Sequence, residues 1–280
     1  MSDTVSQQQE EIPADMLNKP KFQVSWQVIF SVVMYLFMYL PIFVLTLYSF
    51  NQSAYSATWE GFTLEWYGKL FSDRRILSAF QNSLTIAFSA VLISALFGTL
   101  LAVGLSRYKF RGKNLFVGIS YLPLIVPDIA IAVATLVFLA AVQIRLSLWT
   151  IVAAHIVFCL AYIALAVSTR LADLNPFLEE AALDLGATPT QAFIKVLLPQ
   201  LMPGIISGCL IAFVLSMDDF LIASFTAGTG ATTLPMEVFS RIRTGVKPDI
   251  NALSVILILA SGTLAFVGQY LSNKNQEKKG

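Results

Sequence analysis

The sequence is poor in charged residues. Asp, Glu, Lys and Arg together make up 12% of the 280 residues, whereas hydrophobic residues make up 56%. A soluble domain typically has about 25% charged residues. So much apolar surface cannot be buried inside a single globule of this length. The composition therefore excludes an ordinary soluble protein and indicates one that has lipid as its solvent.

Cysteine and histidine are also scarce. The two cysteines, Cys159 and Cys209, lie within apolar stretches, where small buried side chains are expected rather than a disulfide or a metal site. The one histidine, His155, has no second histidine or nearby cysteine with which to form a metal cluster. We expect it to be a polar residue packed inside a helix bundle, and we predict no metal bound by this chain.

Nucleotide-binding motifs are missing as well. The sequence contains neither a Walker A pattern nor a dinucleotide-binding glycine loop. Its net charge of +1 gives no reason to expect a nucleic acid partner. No serine elbow, metal-ligand spacing or histidine–acid constellation favours a membrane enzyme. We predict a chain that is not an enzyme and binds no cofactor, so that any ATP would be bound by a different chain.

Six stretches are apolar enough to cross a bilayer as helices, for which about 20 residues are needed. They predict an all-α membrane protein with one membrane domain, residues 26–271, a cytoplasmic N-terminal tail of residues 1–25 and a cytoplasmic C-terminal tail of residues 272–280. The predicted spans are Trp26–Phe50, Ser78–Leu105, Leu115–Ala140, Leu146–Val167, Leu201–Ala223 and Ala252–Leu271.

The distribution of Lys and Arg predicts the orientation of these spans. With six spans both termini lie on one side, and that side carries eleven basic residues against seven on the other. The densest cluster on the richer side runs from Arg107 to Lys113. Because cytoplasmic loops are enriched in Lys and Arg, both termini are predicted to be cytoplasmic.

The connection between the fourth and fifth predicted spans has the pattern of two short helices separated by a glycine. Asn175 is a candidate N-cap with Pro176 at the first helical position. Glu179 and Glu180 then fall in the first turn, where the helix dipole favours acids. Gly186 is placed to end this helix, because glycine readily adopts the left-handed conformation of helix C-termini.

A second short helix is predicted to follow Gly186. Thr188 and Gln191 have the spacing of a capping box, and Pro199 is expected to close this helix before the fifth span. Such an amphipathic connection either lies on the membrane surface or docks a soluble partner. Ala181 and Ala182 allow another surface to approach closely. The residues alone favour neither alternative.

This connection, residues 175–199, resembles the EAA loop of ABC-importer permeases. That loop has the pattern Glu-Ala-Ala, three residues, Gly, nine residues, a branched apolar residue, any residue and then Leu-Pro. The resemblance implies a type I ABC importer-like permease and a coupling helix that contacts a separate ATPase dimer, which binds the ATP and Mg²⁺. The matching positions are Glu180, Ala181, Ala182, Gly186, Val196, Leu198 and Pro199.

The resemblance extends over most of the chain. Residues 59–63, 107–113, 215–219 and above all Gly230–Leu253 are similar to the spermidine/putrescine importer permeases of the PotC and PotI type. What this group implies is a multi-pass subunit of the bacterial inner membrane that translocates polyamines. The implied partners are a homologous second permease subunit, an ATPase dimer, a periplasmic substrate-binding protein and membrane lipid.

Three acidic residues within predicted spans are candidates for the substrate path. Asp128 follows Pro127 near the middle of the third span, where a charged side chain costs about 2.5–3.5 kcal/mol and is expected to face water or a partner. Asp218 and Asp219 lie toward the outer end of the fifth span. A polycation needs carboxylates to replace its water of hydration. The alternative is that these acids cap helix ends or pair with basic residues between helices.

Charged residues also follow Pro235 in the last outer connection. Glu237, Arg241 and Arg243 either form a solvated face or contact the periplasmic binding protein that the family implies.

Two further alternatives remain for the whole chain. One is an ABC permease for another small substrate. The other is a self-sufficient secondary transporter or channel, which would be expected to show inverted repeats with broken helices in both halves. The broken stretch from Pro123 to Asp128 has no counterpart at matching distance in the second half.

Overall fold

The computed structural model describes residues 26–53, 58–243, 245 and 247–277, with side chains described as far as residue 263 in the last helix. The predicted tail of residues 1–25 lies outside the described residues. So do residues 278–280 of the predicted C-terminal tail, whereas residues 272–277 continue the last helix.

The regular elements of the described residues are all helices, and the described residues also include one isolated bridge between Asn51 and Phe62. This confirms the predicted all-α class. The twelve α-helices are α1 Trp26–Tyr48, α2 Glu65–Ser72, α3 Arg74–Arg107, α4 Lys113–Tyr121, α5 Asp128–Ala141, α6 Leu148–Ala172, α7 Leu178–Asp184, α8 Pro189–Ala192, α9 Leu198–Asp218, α10 Leu221–Thr226, α11 Leu234–Arg243 and α12 Pro248–Glu277.

Four of the six predicted spans appear as helices long and apolar enough to cross a membrane. These are α1, α3, α6 and the continuous segment Pro189–Asp218. The sixth predicted span lies in α12, whose described apolar part covers Pro248–Thr263. The described residues thus include several helices that are long and apolar enough to cross a membrane, and the count of six stays a prediction.

The third predicted span, Leu115–Ala140, is not one helix. It consists of α4, a 3₁₀ turn over Leu122–Leu124 and α5, and the two helical parts meet at an angle of 106°. Pro123 and Pro127 lack backbone N–H groups and therefore cannot continue an α-helical ladder. The structure thus has a break where the sequence indicated a broken stretch from Pro123 to Asp128. Asp128 is the first residue of α5 and does not lie inside one continuous helix.

The fifth predicted span, Leu201–Ala223, also differs from the structure. It ends at Asp218, and α10 begins separately at Leu221. Nor does Pro199 close a helix, as predicted, because the segment Pro189–Asp218 is continuous through it. A π-helical turn over Phe193–Leu197 precedes α9. We attribute the continuity to this turn, since a local change of hydrogen-bond register accommodates the donor that Pro199 lacks.

The core is built from α3, α6 and α9, which pack against one another. Glycines allow this close approach. A Cβ atom at Gly98 of α3 would lie 3.1 Å from the carbonyl oxygen of Leu160 in α6. One at Gly208 of α9 would lie 3.0 Å from the Cα atom of Ile163, also in α6. Small residues at such contacts are typical of helices packed within membranes.

Helix α1 contrasts with this core. Within the described part of the chain, none of its residues is buried, although its composition is strongly apolar. In a membrane such a surface contacts lipid or another chain.

Candidate functional site

The loop between α6 and α9 ends its first helix as predicted. Gly186 has φ of +87°, the left-handed conformation that glycine adopts without steric cost. The N–H of Gly186 donates to the carbonyl of Leu183 at 2.9 Å, and the N–H of Ala187 donates to the carbonyl of Ala182 at 3.0 Å. These two bonds form a Schellman motif. The glycine therefore fixes the direction that the chain takes from α7 toward α8.

The start of this helix differs from the prediction. Helix α7 begins at Leu178, with Phe177 and not Asn175 at the N-cap. The Asn175 Oδ1 atom instead accepts a hydrogen bond at 2.9 Å from the N–H of Phe177, two residues further on. Such an Asx turn competes with helix capping, which delays the helix. Pro176 consequently precedes the helix rather than occupying its first position.

The second short helix has the predicted capping box. The N–H of Gln191 donates to Thr188 Oγ1 at 3.3 Å, and the Gln191 side chain accepts from the N–H of Thr188 at 3.1 Å. Together the two caps define a helix–glycine–helix wedge, residues 178–192, joined at both ends to core helices. This local geometry fits the predicted loop, and its docking role stays a prediction.

The residues that match the EAA pattern differ in exposure along the wedge and the following turn. Glu180, Ala181, Gly186 and Pro199 are exposed, whereas Ala182, Val196 and Leu198 are half-buried. The first part of the pattern thus presents a surface, and the last part packs at the base of α9.

The two adjacent acids of α7 have different surroundings. Glu179 Oε2 lies 3.1 Å from the Arg107 guanidinium, in the last turn of α3, and the two side chains are 21% and 30% exposed. Glu180 is exposed. Successive residues of a helix point about 100° apart, which places one acid toward the bundle and the other away from it.

Asp128 lies in the break of the third predicted span. Asp128 is exposed and occupies the first turn of α5. The positive end of the helix dipole favours a carboxylate at this position. Helix α5 packs against α10, which brings the break into the same bundle as the end of α9.

Asp218 and Asp219 end α9 at the side of the bundle opposite the wedge. Asp218 is exposed. Asp219 accepts hydrogen bonds from the N–H groups of Ile222 at 3.3 Å and Ala223 at 2.7 Å, and so caps α10. The alternative to a path-lining role was that these acids cap helix ends, and these contacts of Asp219 are of that kind. Asp218 and Asp219 are adjacent only because they are neighbours in the sequence. Their side chains have different environments.

His155 in α6 lies beside the break between α9 and α10. Its side chain is 1% exposed, its Nδ1 lies 2.8 Å from Ser216 Oγ, and its Nε2 lies 3.2 Å from Asp219 Oδ2. The Nε2 contact lacks the alignment of a hydrogen bond. The expectation that His155 is a polar residue packed inside the bundle is confirmed. The sequence did not reveal its neighbours, because Ser216 and Asp219 lie about 60 residues further along the chain.

The charged residues of α11 differ in their contacts: Glu237 and Arg241 form an ion pair, whereas Arg243 is exposed. Arg241 contacts Glu237 at 2.8 Å in its own helix, Asp73 at 2.6 Å before α3 and Asp249 at 3.0 Å in α12. One guanidinium thus holds three elements together. Arg243 is exposed, and its guanidinium lies 4.7 Å from the ring centroid of Phe239.

This network shifts the acid–base properties of its members. Partial burial raises the pKa of Asp73, but hydrogen bonds from Arg241, Ile76 and Arg75 together outweigh it, so that the pKa lies below its ordinary value of 3.8. Partial burial lowers the pKa of Arg241, yet its bonds to Asp73 and Glu237 raise the pKa overall. Asp73 was not identified from the sequence, although an Asp just before a long apolar helical stretch is a candidate N-cap.

Comparison with known proteins shows extended similarity. The family described as "Binding-protein-dependent transport system inner membrane component" matches residues 94–275. The putrescine transport system permease protein PotI of Escherichia coli K12 is 42% identical over 271 residues, covering 94% of this chain and 96% of PotI. The spermidine/putrescine transport system permease protein PotC of Haemophilus influenzae is 38% identical over 246 residues, covering 88% and 96%.

Solved structures give the same fold at lower identity. A chain of a bacterial ABC transporter involved in import of the acidic polysaccharide alginate has a TM-score of 0.71 and 16% identity, covering 87% of this chain and 94% of that one. A second, of a bacterial alginate ABC transporter in complex with a pentasaccharide-bound periplasmic protein, has a TM-score of 0.68 and 18% identity, covering 86% and 91%. Sequence and fold agree, and this chain belongs to the family of binding-protein-dependent transport system inner membrane components.

Proposed function

We propose that this chain is a permease subunit of an ATP-driven ABC importer that translocates polyamines, spermidine or putrescine, across the inner membrane. The observation that carries the proposal is the 42% identity to a putrescine permease over 94% of the chain. Identity at this level extends over the helices that would line a substrate path. It therefore supports a shared substrate as well as a shared fold.

Coupling to a separate ATPase is assigned to the wedge. Its exposed residues Glu180 and Ala181 offer a charge and a small side chain to a partner, and the Schellman motif at Gly186 holds them in a fixed direction. ATP and Mg²⁺ belong to that partner. In this proposal the wedge lies in the cytosol, and with six spans both termini lie there as well.

The remaining partners follow from the exposed surfaces. The unburied apolar face of α1 suits membrane lipid and a homologous second permease subunit. The end opposite the wedge faces the periplasm in this orientation. There Arg243 is free to meet a substrate-binding protein, while Glu237 and Arg241 brace the helix that presents it.

The substrate path is assigned to the exposed carboxylates. Asp128, at the break before α5, and Asp218, at the end of α9, are exposed in the isolated chain and available to an ammonium group. Asp219 contributes at the same end by holding the break beside Asp218.

Reconstituting the whole complex in proteoliposomes tests the proposal. We expect uptake of radiolabelled spermidine or putrescine only with ATP, the ATPase and the binding protein present. Uptake by this chain alone, without ATP, would establish a self-sufficient transporter instead. Uptake of other small solutes but of neither polyamine would establish a different substrate.

Two conservative variants test the path. Asp128→Asn and Asp218→Asn keep the side-chain size and remove the charge, so that polyamine uptake is expected to fall while the complex still assembles. Normal uptake by both variants would remove these residues from the path. The amount of assembled complex, measured by gel filtration, is the control for folding.

A further inference from the structure

We propose that the ion pair between Arg107 and Glu179 transmits movement of the wedge to α3, so that it is a positioning contact for transport. The inference rests on the proposed function, since it assigns the coupling of that transport to a pair of side chains. Neither residue belongs to the EAA pattern, which makes this contact additional to the predicted docking residues.

The position of the pair is unusual for a surface ion pair. Arg107 ends α3, and Glu179 lies 72 positions later in the first turn of α7, yet the charged atoms are 3.1 Å apart. Both side chains are less than one-third exposed. Burial of this extent reduces screening by water, although the pair is not fully desolvated.

The wedge already has covalent connections to two of the three core helices. It follows α6 through residues 173–177 and continues into α9 through the π-helical turn. Its first helix packs on α8 and on that turn. Helix α3 has no direct chain connection to the wedge, because α4, α5 and α6 lie between them in the sequence. The Arg107–Glu179 pair supplies a direct link to this third core helix.

A link to α3 has consequences at the far end of the bundle. Helix α3 packs against both α6 and α9, with Gly98 in close contact with α6. At its other end Asp73 binds Arg241, and Ser83 accepts a hydrogen bond at 2.9 Å from the N–H of Leu234 in α11. A push on α7 that reaches α3 is therefore carried to the helices on the opposite side.

The adjacent acids Glu179 and Glu180 have different functions in this proposal. Glu180 is exposed and faces the proposed ATPase, whereas Glu179 faces the bundle. Without Glu179, the wedge still has a docking surface but loses its contact with α3. Loss of the pair is thus expected to uncouple ATP hydrolysis from uptake rather than to abolish hydrolysis.

The experiment uses the reconstituted complex and measures uptake and ATP hydrolysis in the same vesicles. Arg107→Gln and Glu179→Gln are each expected to lower the ratio of polyamine taken up to ATP hydrolysed by about three- to fivefold, the size of one such ion pair. The exchanged pair, Arg107→Glu with Glu179→Arg, restores the attraction and should recover at least about half of the ratio. Lys109→Gln removes a nearby exposed cation and is the matched control.

The outcomes are distinct. A wild-type ratio in both single variants would overturn the inference, and so would an exchanged pair that behaves no better than the single variants. Equal losses in Lys109→Gln would show that the positive charge of this surface matters and not the pair. If the wild-type complex takes up no polyamine at all, the proposed function fails and the ion pair is not the cause.

Discussion

The two ends of the helix bundle each carry two adjacent acids, and at both ends the acids have separate roles. In the wedge Glu179 contacts Arg107 while Glu180 is exposed. At the opposite end Asp219 caps α10 and contacts His155, while Asp218 is exposed. Neighbouring acids in a sequence therefore need not form one site. Successive residues of a helix such as α7 point about 100° apart, and Asp219 lies just beyond the end of α9 with an extended backbone.

The difference between the two ends lies in desolvation. The Arg107 and Glu179 side chains are 30% and 21% exposed, whereas His155 and Asp219 are 1% and 10% exposed. Removing one partner from a contact costs more where the other is left buried without a polar neighbour. The wedge contact accordingly costs less to break than the contact at the far end, where His155 and Asp219 lie at the break between α9 and α10.

The largest effect is expected for Asp219→Ala. It removes the cap of α10 and leaves His155 Nε2 buried without its carboxylate, which should cost about 2–3 kcal/mol of unfolding free energy. Thermal unfolding of the purified chain in detergent measures this. Asp218→Ala is the matched control, with an expected change within about 0.5 kcal/mol. Equal destabilisation by the two variants would contradict the separation of roles at this end.

A smaller effect is expected for Arg241→Gln, which breaks the contacts to Asp73, Glu237 and Asp249. Loss of these partly buried, charge-assisted hydrogen bonds should cost about 1–2 kcal/mol at neutral pH. Arg243→Gln, two residues further along α11 at an exposed position, should leave the unfolding temperature unchanged. A loss of stability in Arg243→Gln as large as in Arg241→Gln would refute the bracing role.

The pH dependence of the same variant sharpens the test. Because the folded-state pKa of Asp73 is lowered below 3.8, its contribution to stability is present above that pH and is lost as the pH falls through the folded-state value. The difference between wild type and Arg241→Gln should therefore shrink below pH 3.8. A difference that stays constant to lower pH would show that Asp73 is not a partner.

At the wedge, Gly186→Val should cost about 1–2 kcal/mol, because a β-branched residue is strained at positive φ. An added Cβ atom would meet no described atom within 4 Å, so the cost is conformational and not steric. Gly118→Ala, at an equally open position within α4, is the control and should not destabilise. Substrate-stimulated ATP hydrolysis by the complex is expected to fall only in the first variant.

The smallest effect on stability is expected for Glu180→Ala. Its exposed side chain contributes within about 0.5 kcal/mol to folding. Substrate-stimulated ATP hydrolysis should nevertheless fall severalfold if Glu180 faces the ATPase. Normal stimulation would remove Glu180 from the docking surface and leave the wedge as an amphipathic connection at the membrane.

Prediction from the sequence succeeded where local signals decide the structure. The end of α7 at Gly186 and the capping box of Thr188 and Gln191 depend on residues within five positions of one another, and both are confirmed. The prediction was wrong where two local signals competed. At Asn175 an Asx turn replaced the N-cap, and at Pro199 a π-helical turn kept the helix continuous.

The long-range contacts were not predictable in this way. Arg107 and Glu179 are drawn together by the packing of α3 on α6, and His155 meets Asp219 through the packing of α6 on α9. The sequence suggested that Arg241 is either solvated or exposed to a partner. It contains no signal that Asp73, 168 residues earlier, lies beside it.

The sequence by itself determined the class of protein and the shape of its loop. Long apolar stretches require a bilayer, and the caps, the glycine and the EAA pattern act over short distances along the chain. Only the tertiary structure decided which of two neighbouring acids is held by a distant residue and which is exposed. The reason is that a helix carries adjacent side chains into different surroundings, and those surroundings are supplied by residues far away in the sequence.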